Sequence, residues 1–526
     1  MIIRGQRIRI RSGAAVTLAA ALLAGCANTA GTAPHDGEGA APSRFGFAAA
    51  DVLPVVNRVT WGASTSSYRE AKAVSLDHYL TGQLHPGDAR LPAPIAARIA
   101  AMTITQQPLD RLVLGLDGQR KEVEALADPD AKQAAQKAYQ EELTRLAREA
   151  AARSLLRDVY SHNGLQEQMT WFWMNHFSIH QGKANLRAMI GDYEETAIRP
   201  HALGRFRDLL RATVFHPAML RYLDNEHNAA GRTNENYARE LMELHTMGVG
   251  SGYTQADVQE LARVLTGLGI NIGKPPPKVK AELRGQYVQH GLFEFNPMRH
   301  DYKDKVLLGQ PIRGRGLAEV DEALDRICRN PATAHTISRK LAVYFTGSEP
   351  APRLARQLAD TFARTDGDIA AVLATLFAAP EFRQSLGHAF KDPMHYVVSA
   401  VRIAYDNRPI VNAGPMLGWL NRMGEPLYGR QTPDGYPLAA AAWNSSGQMA
   451  ARFDVAKAIG SGGAGLFKED GEGGPGRPAF PQLANPLYYD ALQTTLSPAT
   501  RQALDQATTP LEWNVFLLSS PEFMFR

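Results

Sequence analysis

Apolar residues recur at helical spacing along most of the chain, and the alternation expected of strands is sparse. The densest stretch is Asn234–Gly267. Tyr237, Leu241 and Leu244 fall at i, i+4 and i+7 and make an apolar stripe, while Glu235, Arg239 and Glu243 run along another face. Gly248 is the expected stop for this helix. A second helix is expected from Thr254, whose hydroxyl can cap the backbone while Asp257 answers three residues on. Val258, Leu261, Ala262 and Leu265 give it an apolar face. The product is a helical hairpin carrying a Glu/Arg/Glu/His cluster.

Other segments read the same way. Asp128–Tyr160 is a charged surface helix with a narrow buried stripe of Tyr139, Leu143, Leu146 and Ala150. The stretch from Leu165, with Met169, Phe172, Trp173 and His176 on overlapping apolar lines, belongs in the core. Arg199–Asn228 makes two helices divided at His216–Pro217. Arg339 and Lys340 head a core helix that ends near Gly347, and Lys391–Tyr405 is helical. LFAAPEF (Leu376–Phe382) and LLSSPEF (Leu517–Phe523) close two amphipathic helices alike. Proline, glycine and lysine make loops of Asn271–Gly285, Gly429–Pro437 and Ser461–Pro486. The expected fold is mainly α, a large multi-helical bundle with long loops and few or no strands.

At 526 residues and 44% hydrophobic composition, the chain can bury a large core. Its 57 Lys+Arg are interspersed with 53 Asp+Glu for a net charge of +4, which argues against nucleic acid as a partner. The N-terminus changes the picture more. Arg4, Arg7, Arg9 and Arg11 precede an apolar run, Gly13–Ala24, too short for a permanent span of roughly 20 residues, which is the pattern of a signal peptide over 1–25. It ends Leu23-Ala24-Gly25-Cys26, which resembles the lipobox of bacterial lipoproteins. That resemblance implies lipid on Cys26, a membrane partner through the anchor, and, because Ala27 rather than Asp follows, the outer membrane facing the periplasm. Residues 26–50 read as the lipidated Cys and a flexible tether, and 51–526 as the body. With Cys26 acylated, Cys328 stands alone, without a disulfide partner and without a thiol set for zinc or an iron–sulfur cluster.

The hairpin cluster has two readings. Solvated, Glu235, Arg239 and Glu243 form a salt ladder of a few tenths of a kcal/mol per pair. Turned inward, Glu240, Glu243 and His245 line a polar cavity able to hold a divalent metal, as facing helices of a bundle can. Arg239 discriminates: sandwiched between the two glutamates it neutralises them, and turned away it leaves carboxylates that attract a cation. His176 and His180 stand at i and i+4, metal-ligand spacing on a helix, yet no Glu follows His176. His300–Asp301, with Lys305 close behind, reads as a turn or as a pair that orients a base. There is no Gly-x-Ser-x-Gly elbow, phosphate loop or dinucleotide fingerprint.

WFWMNHF (Trp171–Phe177), RPHALGRFRDLL (Arg199–Leu210), HPAMLRYLDN (His216–Asn225), the Asn234–Gly267 stretch and the terminal SSPEF together resemble the bacterial family called "domain of unknown function 1800". The resemblance covers nearly all of Asp51–Arg526 and implies a predominantly helical extracytoplasmic protein with no settled activity, substrate or cofactor. The positions matching the family's polar motifs are Asn175, His176, Asn234, Glu235, Asn236, Arg239, Glu240, Glu243, His245, Arg263, His300, Asp301 and Lys305. Met174 departs from the His the family often shows before Asn-His-Phe, and His395 stands where an acidic residue is common. Two functional expectations follow. In one, His176, Glu240, His300 and Asp301 catalyse metal-assisted or acid/base hydrolysis of an envelope or polysaccharide-type substrate, with Glu240, Glu243 and His245 as metal ligands. In the other, a non-catalytic envelope binding or assembly protein uses Asn234, Glu235, Asn236, Arg239, Arg263 and Lys305 as a structural network, with a possible envelope protein partner.

Overall fold

The computed structural model describes residues 44–273, 275–468 and 479–526. The signal peptide, Cys26 and most of the tether lie outside the described residues. Residues 44–50, expected within the tether, instead begin the body. Phe45 is buried, the Arg44 and Phe45 amides donate to Asp77, and Arg383 donates to the Phe45 carbonyl at 3.0 Å. An apolar side chain with anchored amides on both sides does not stay in a solvated linker.

Helix accounts for 61% and strand for 4%, so the fold is mainly α. The long charged helix runs Pro129–Tyr160, opened by Asp128, whose carboxylate accepts from the Asp130 amide at 3.1 Å. Its apolar residues widen toward the C-terminus, where Leu155, Leu156, Val159 and Tyr160 are all buried. Gly164–His176 is buried along most of its length. Leu165, Met169, Phe172 and Trp173 are buried, and even its polar Gln168 is enclosed, donating to the Arg58 carbonyl at 3.4 Å. The Trp173 indole donates to the Ala202 carbonyl at 2.9 Å, and Trp171 meets Trp61 edge-on at 6.0 Å. This helix stops at His176, so His176 and His180 do not share a helix face.

The hairpin forms from Asn236–Glu243 and Gln255–Val264. Thr254 caps the second helix as its sequence predicts, with the Asp257 carboxylate accepting from the Thr254 amide at 2.8 Å. The first helix ends before Gly248, which closes it from beyond: at φ +94° its amide reaches back to the Met242 carbonyl at 3.2 Å. Five strands of three residues each follow. Leu268–Ile270 and Val288–His290 flank Phe293–Phe295 antiparallel, with Leu268 opposite Phe295, and Lys305–Leu307 pairs with Gln310–Ile312. They hold the His300 loop against the hairpin.

Toward the C-terminus, Ser446–Gly460 packs on Pro510–Ser519 with no room for a side chain at Gly460, where a Cβ would lie 2.9 Å from Val515. The last residues then lie along the segment before helix Pro393–Tyr405: the Lys391 amide donates to the Met524 carbonyl at 2.9 Å, and Arg526 exchanges amide bonds with Ala389.

Candidate functional site

Polar side chains from the motif segments separate into three groups. At the first, His176 ends its helix inside an aromatic cage, with its ring 4.6 Å from Phe177 and 5.4 Å from Trp173. Its Nε2–H donates to the His245 carbonyl at 3.0 Å, and its Nδ1 accepts from Lys340 Nζ at 3.1 Å. Those two bonds define a neutral ring with its proton on Nε2. Burial, then the Lys340 charge and His245, hold the His176 pKa well below its usual value. Lys340 also donates to the Leu244 carbonyl at 3.2 Å, so His176 and Lys340 together satisfy the two backbone carbonyls, of Leu244 and His245, just past the end of Asn236–Glu243. Burial first, then Arg339, lowers the Lys340 pKa to about 8.

His245 points into the core. It is fully buried among Phe177, His176 and Tyr237, neither ring nitrogen has a hydrogen-bond partner among the described residues, and burial pushes its pKa down to about 3. Glu240 and Glu243 lie on the half-buried outer face instead. The Tyr253 hydroxyl donates to Glu243 at 3.3 Å. Burial, the Glu243 charge and Asp434 raise the Glu240 pKa, against Arg239, which lowers it. The proposed ligand set Glu240, Glu243 and His245 is therefore divided between two faces of the hairpin. Among the described residues no group of three or more His, Cys, Asp or Glu is arranged to hold a metal ion.

Arg239 takes one glutamate, Glu235 at 3.2 Å, and then Gln255 at 2.8 Å, so the expected three-member ladder is a single pair. Asn234 and Asn236 staple the hairpin to its neighbour: Asn234 donates to the Asp224 carbonyl at 3.3 Å and Asn236 to that of Leu223 at 3.2 Å. Asn175 does the same for the Gly429–Pro437 loop. Its Oδ1 accepts from the Tyr436 amide at 2.6 Å and its Nδ2 donates to the Tyr436 carbonyl at 3.0 Å. Gly435, at φ +75°, is required there because a Cβ would sit 2.2 Å from the Asn175 carbonyl oxygen.

The third group is at His300. His300 and Asp301, adjacent in sequence, turn to different partners. His300 Nδ1 faces the Thr266 carbonyl at 2.7 Å and Nε2 faces Glu319 at 3.0 Å. Lys305 donates to Glu319 and to the Asp301 carbonyl, and the amides of Arg315 and Gly316 reach the same carboxylate at 2.6 and 2.8 Å. The side chains of His300, Lys305 and Glu319 have 0% exposure. Burial alone would raise the Glu319 pKa, but the bonds from His300 and Lys305 outweigh it and lower it. Asp301 pairs with Arg263 at 2.8 Å, and Arg263 with Glu260 at 2.8 Å, which together with a backbone bond from Lys303 holds Asp301 down to about 2 against its burial. Glu319 sits fourteen residues beyond Lys305 in an ordinary amphipathic helix, and no sequence signal marked it.

A separate space opens between the N-terminal helix Val52–Val59, the helix Pro393–Tyr405 and the C-terminal segment, a cavity of about 330 Å³. Leu53, Ile403, Leu487, Leu492, Leu517 and Phe523 make its apolar wall. Asn57, His388, Lys391, Ser399, Glu522 and Arg526 contribute its polar part. Its size is that of a small-molecule site. Cys328 plays no part: it is buried in helix Ala318–Cys328, where desolvation raises its thiol pKa.

The family model described as "Protein of unknown function (DUF1800)" matches residues 54–525, which include the polar groups and all of the cavity lining named above except Leu53 and Arg526. No curated protein and no solved structure matches the chain.

Proposed function

We propose that this chain, which belongs to the DUF1800 family of proteins of unknown function, is a lipid-anchored envelope protein that binds an apolar, chain-like ligand, its motif residues serving as the network that holds the body rigid. The observation that carries the reading is the cavity of about 330 Å³ with a mainly apolar lining and a few polar groups. The network half is supported by the bonding of the motif residues. His176 and Lys340 hold the backbone just past a helix end, Asn175, Asn234 and Asn236 staple backbone, and His300, Lys305 and Glu319 satisfy one another out of reach of solvent. Hydrolysis by His176, Glu240, His300 and Asp301 would need those groups around one space, and His176, His300 and Asp301 are instead engaged with different partners.

Anchoring rests on Leu23-Ala24-Gly25-Cys26 after an apolar run. No helix among the described residues is long and apolar enough to cross a membrane. Metabolic labelling with palmitate tests this part, and label retained in Cys26→Ser would defeat it. The ligand reading is tested by crosslinking a photoreactive fatty acid to the full-length chain and mapping the adduct. Label on the wall segments 487–496 or 517–523, lost when Ile403→Trp fills the space, is the expected result. Label scattered over the surface and indifferent to Ile403→Trp would sink it.

A further inference from the structure

Two polar side chains meet inside the cavity in a geometry the binding role does not need. Lys391 immediately precedes the residue that caps helix Pro393–Tyr405, and Ser399 lies on that helix facing back toward it. Lys391 Nζ donates to Ser399 Oγ at 3.0 Å while the Ser399 hydroxyl donates to the Tyr396 carbonyl at 3.1 Å; as a neutral amine Lys391 becomes an acceptor that the hydroxyl reaches by rotating about its Cβ–Oγ bond. Both residues are buried and both line the cavity. Gly62, at φ +111°, backs onto the serine so closely that a Cβ there would lie 2.6 Å from Ser399 Cβ, which keeps Ser399 from retreating from the lysine. We propose that Ser399 is a nucleophile and Lys391 its general base, making the cavity a site that cleaves an ester of an apolar acyl chain. The inference rests on the reading that the cavity holds such a chain.

A serine hydroxyl is a weak nucleophile until a neighbouring base takes its proton, and a lysine can serve only as the neutral amine. Burial lowers the Lys391 pKa well below the usual lysine value, and the charges of Arg452 and Arg526 add to the effect. The acidic groups nearby are committed elsewhere. Asp392 is bonded to His395 at 2.8 Å, and Glu522 accepts from the Ser497 amide and the Thr500 hydroxyl, both at 2.8 Å. The other titratable group on the cavity wall is His388. Once protonated, the Lys391 ammonium has the Phe523 ring face at 3.8 Å, a contact that stabilises a transient cation.

In the acylation step Ser399 Oγ forms a bond to the ester carbonyl carbon as its proton passes to Lys391 Nζ. The carbonyl oxygen carries the negative charge until the bond to the alkoxy oxygen breaks, and that leaving alcohol takes the proton from Lys391. Water then attacks the acyl-serine, giving a proton to Lys391 that returns to Ser399 Oγ as the free fatty acid departs. Asn57 lines the same cavity, and because its Oδ1 accepts from the Ala63 amide at 2.8 Å, its other amide atom, Nδ2, is a hydrogen-bond donor.

The decisive experiment treats the full-length chain with a fluorophosphonate bearing a decyl chain and maps the adduct, alongside turnover of a nitrophenyl ester series of increasing acyl length. The expected adduct is on Ser399, with turnover reduced roughly a hundredfold or more in Ser399→Ala and in Lys391→Met. In the parent protein, turnover should rise with pH through a pKa well below that of an ordinary lysine. Ser399→Ala removes a single oxygen and should keep both the melting transition and the fatty-acid crosslink, so a fold defect is recognised separately. An adduct elsewhere, or full turnover in Ser399→Ala, would overturn the dyad while leaving ligand binding intact. Failure of the fatty-acid crosslink in the parent would overturn binding and dyad together.

Discussion

His300 and His245 are both imidazoles with almost no solvent exposure, and they are opposite cases. His300 has an oxygen partner for each ring nitrogen, and its neighbours Glu319 and Lys305 bring charge of both signs. His245 has neither nitrogen bonded among the described residues and meets mainly aromatic rings. The difference teaches that the same residue type serves as a tie in one place and as filling in the other. A buried polar group stabilises only through its partners, and a buried group without them is a standing cost of about 1–3 kcal/mol.

The sharpest way to test that contrast is to remove the centre of the satisfied group. Glu319→Ala leaves Lys305 and His300 buried without their carboxylate, and denaturant unfolding should show a loss of about 3–5 kcal/mol. A change under about 1 kcal/mol would mean that the group is not load sharing as its bonds suggest.

Acid titration comes next. His245 is held near 3 in the folded protein, against about 6.5 for a histidine in the unfolded chain. Above pH 6.5 neither state binds the proton and the contribution is fully present. As pH falls from 6.5 toward 3, only the unfolded chain takes it up and stability is lost, on the order of 5 kcal/mol for this residue. His395, lowered to about 4 by burial and Arg526 against Asp392, acts in the same direction. A stability profile flat between pH 6.5 and 4 would contradict neutral burial of these rings.

Asn175→Ala removes both bonds to Tyr436 and should cost about 1–3 kcal/mol, with increased proteolytic cleavage in the Gly429–Pro437 loop. His245→Phe replaces an unpaired imidazole by an apolar ring and should shift stability by less than about 1.5 kcal/mol in either direction while flattening the acid limb. The smallest effect belongs to Arg239→Ala, where the single exposed pair with Glu235 predicts a change below about 0.5 kcal/mol by thermal melting.

Much of the architecture was legible without coordinates. The long helix from Pro129, the break at His216–Pro217 and the Thr254–Asp257 cap follow from spacing, proline and local hydrogen bonding, which act over three or four residues. The site was legible only in part. His176 and His245 do meet, with rings 6.2 Å apart, but the bond between them runs from the His176 ring to the His245 backbone carbonyl, and the other His176 nitrogen takes Lys340, which the pattern marks simply as part of a helix. His176 and His180 looked like a ligand pair until the helix ended between them. His300 and Asp301 looked like a dyad, yet neighbouring residues in extended backbone point apart and found Glu319 and Arg263 respectively. The pairing of Lys391 with Ser399 carries no sequence signal, since their meeting depends on the turn into a helix and on Gly62 behind it.

By itself the chain determined a helical body, its capped hairpin and its family, because helix periodicity and end signals are local and written in consecutive residues. Which polar groups would be partnered, which would be left bare, and where a cavity would open were decided only by tertiary structure. Burial and the direction of a side chain depend on residues hundreds of positions away: Asn57 and Phe523 line one cavity, and Asn175 is bonded to Tyr436.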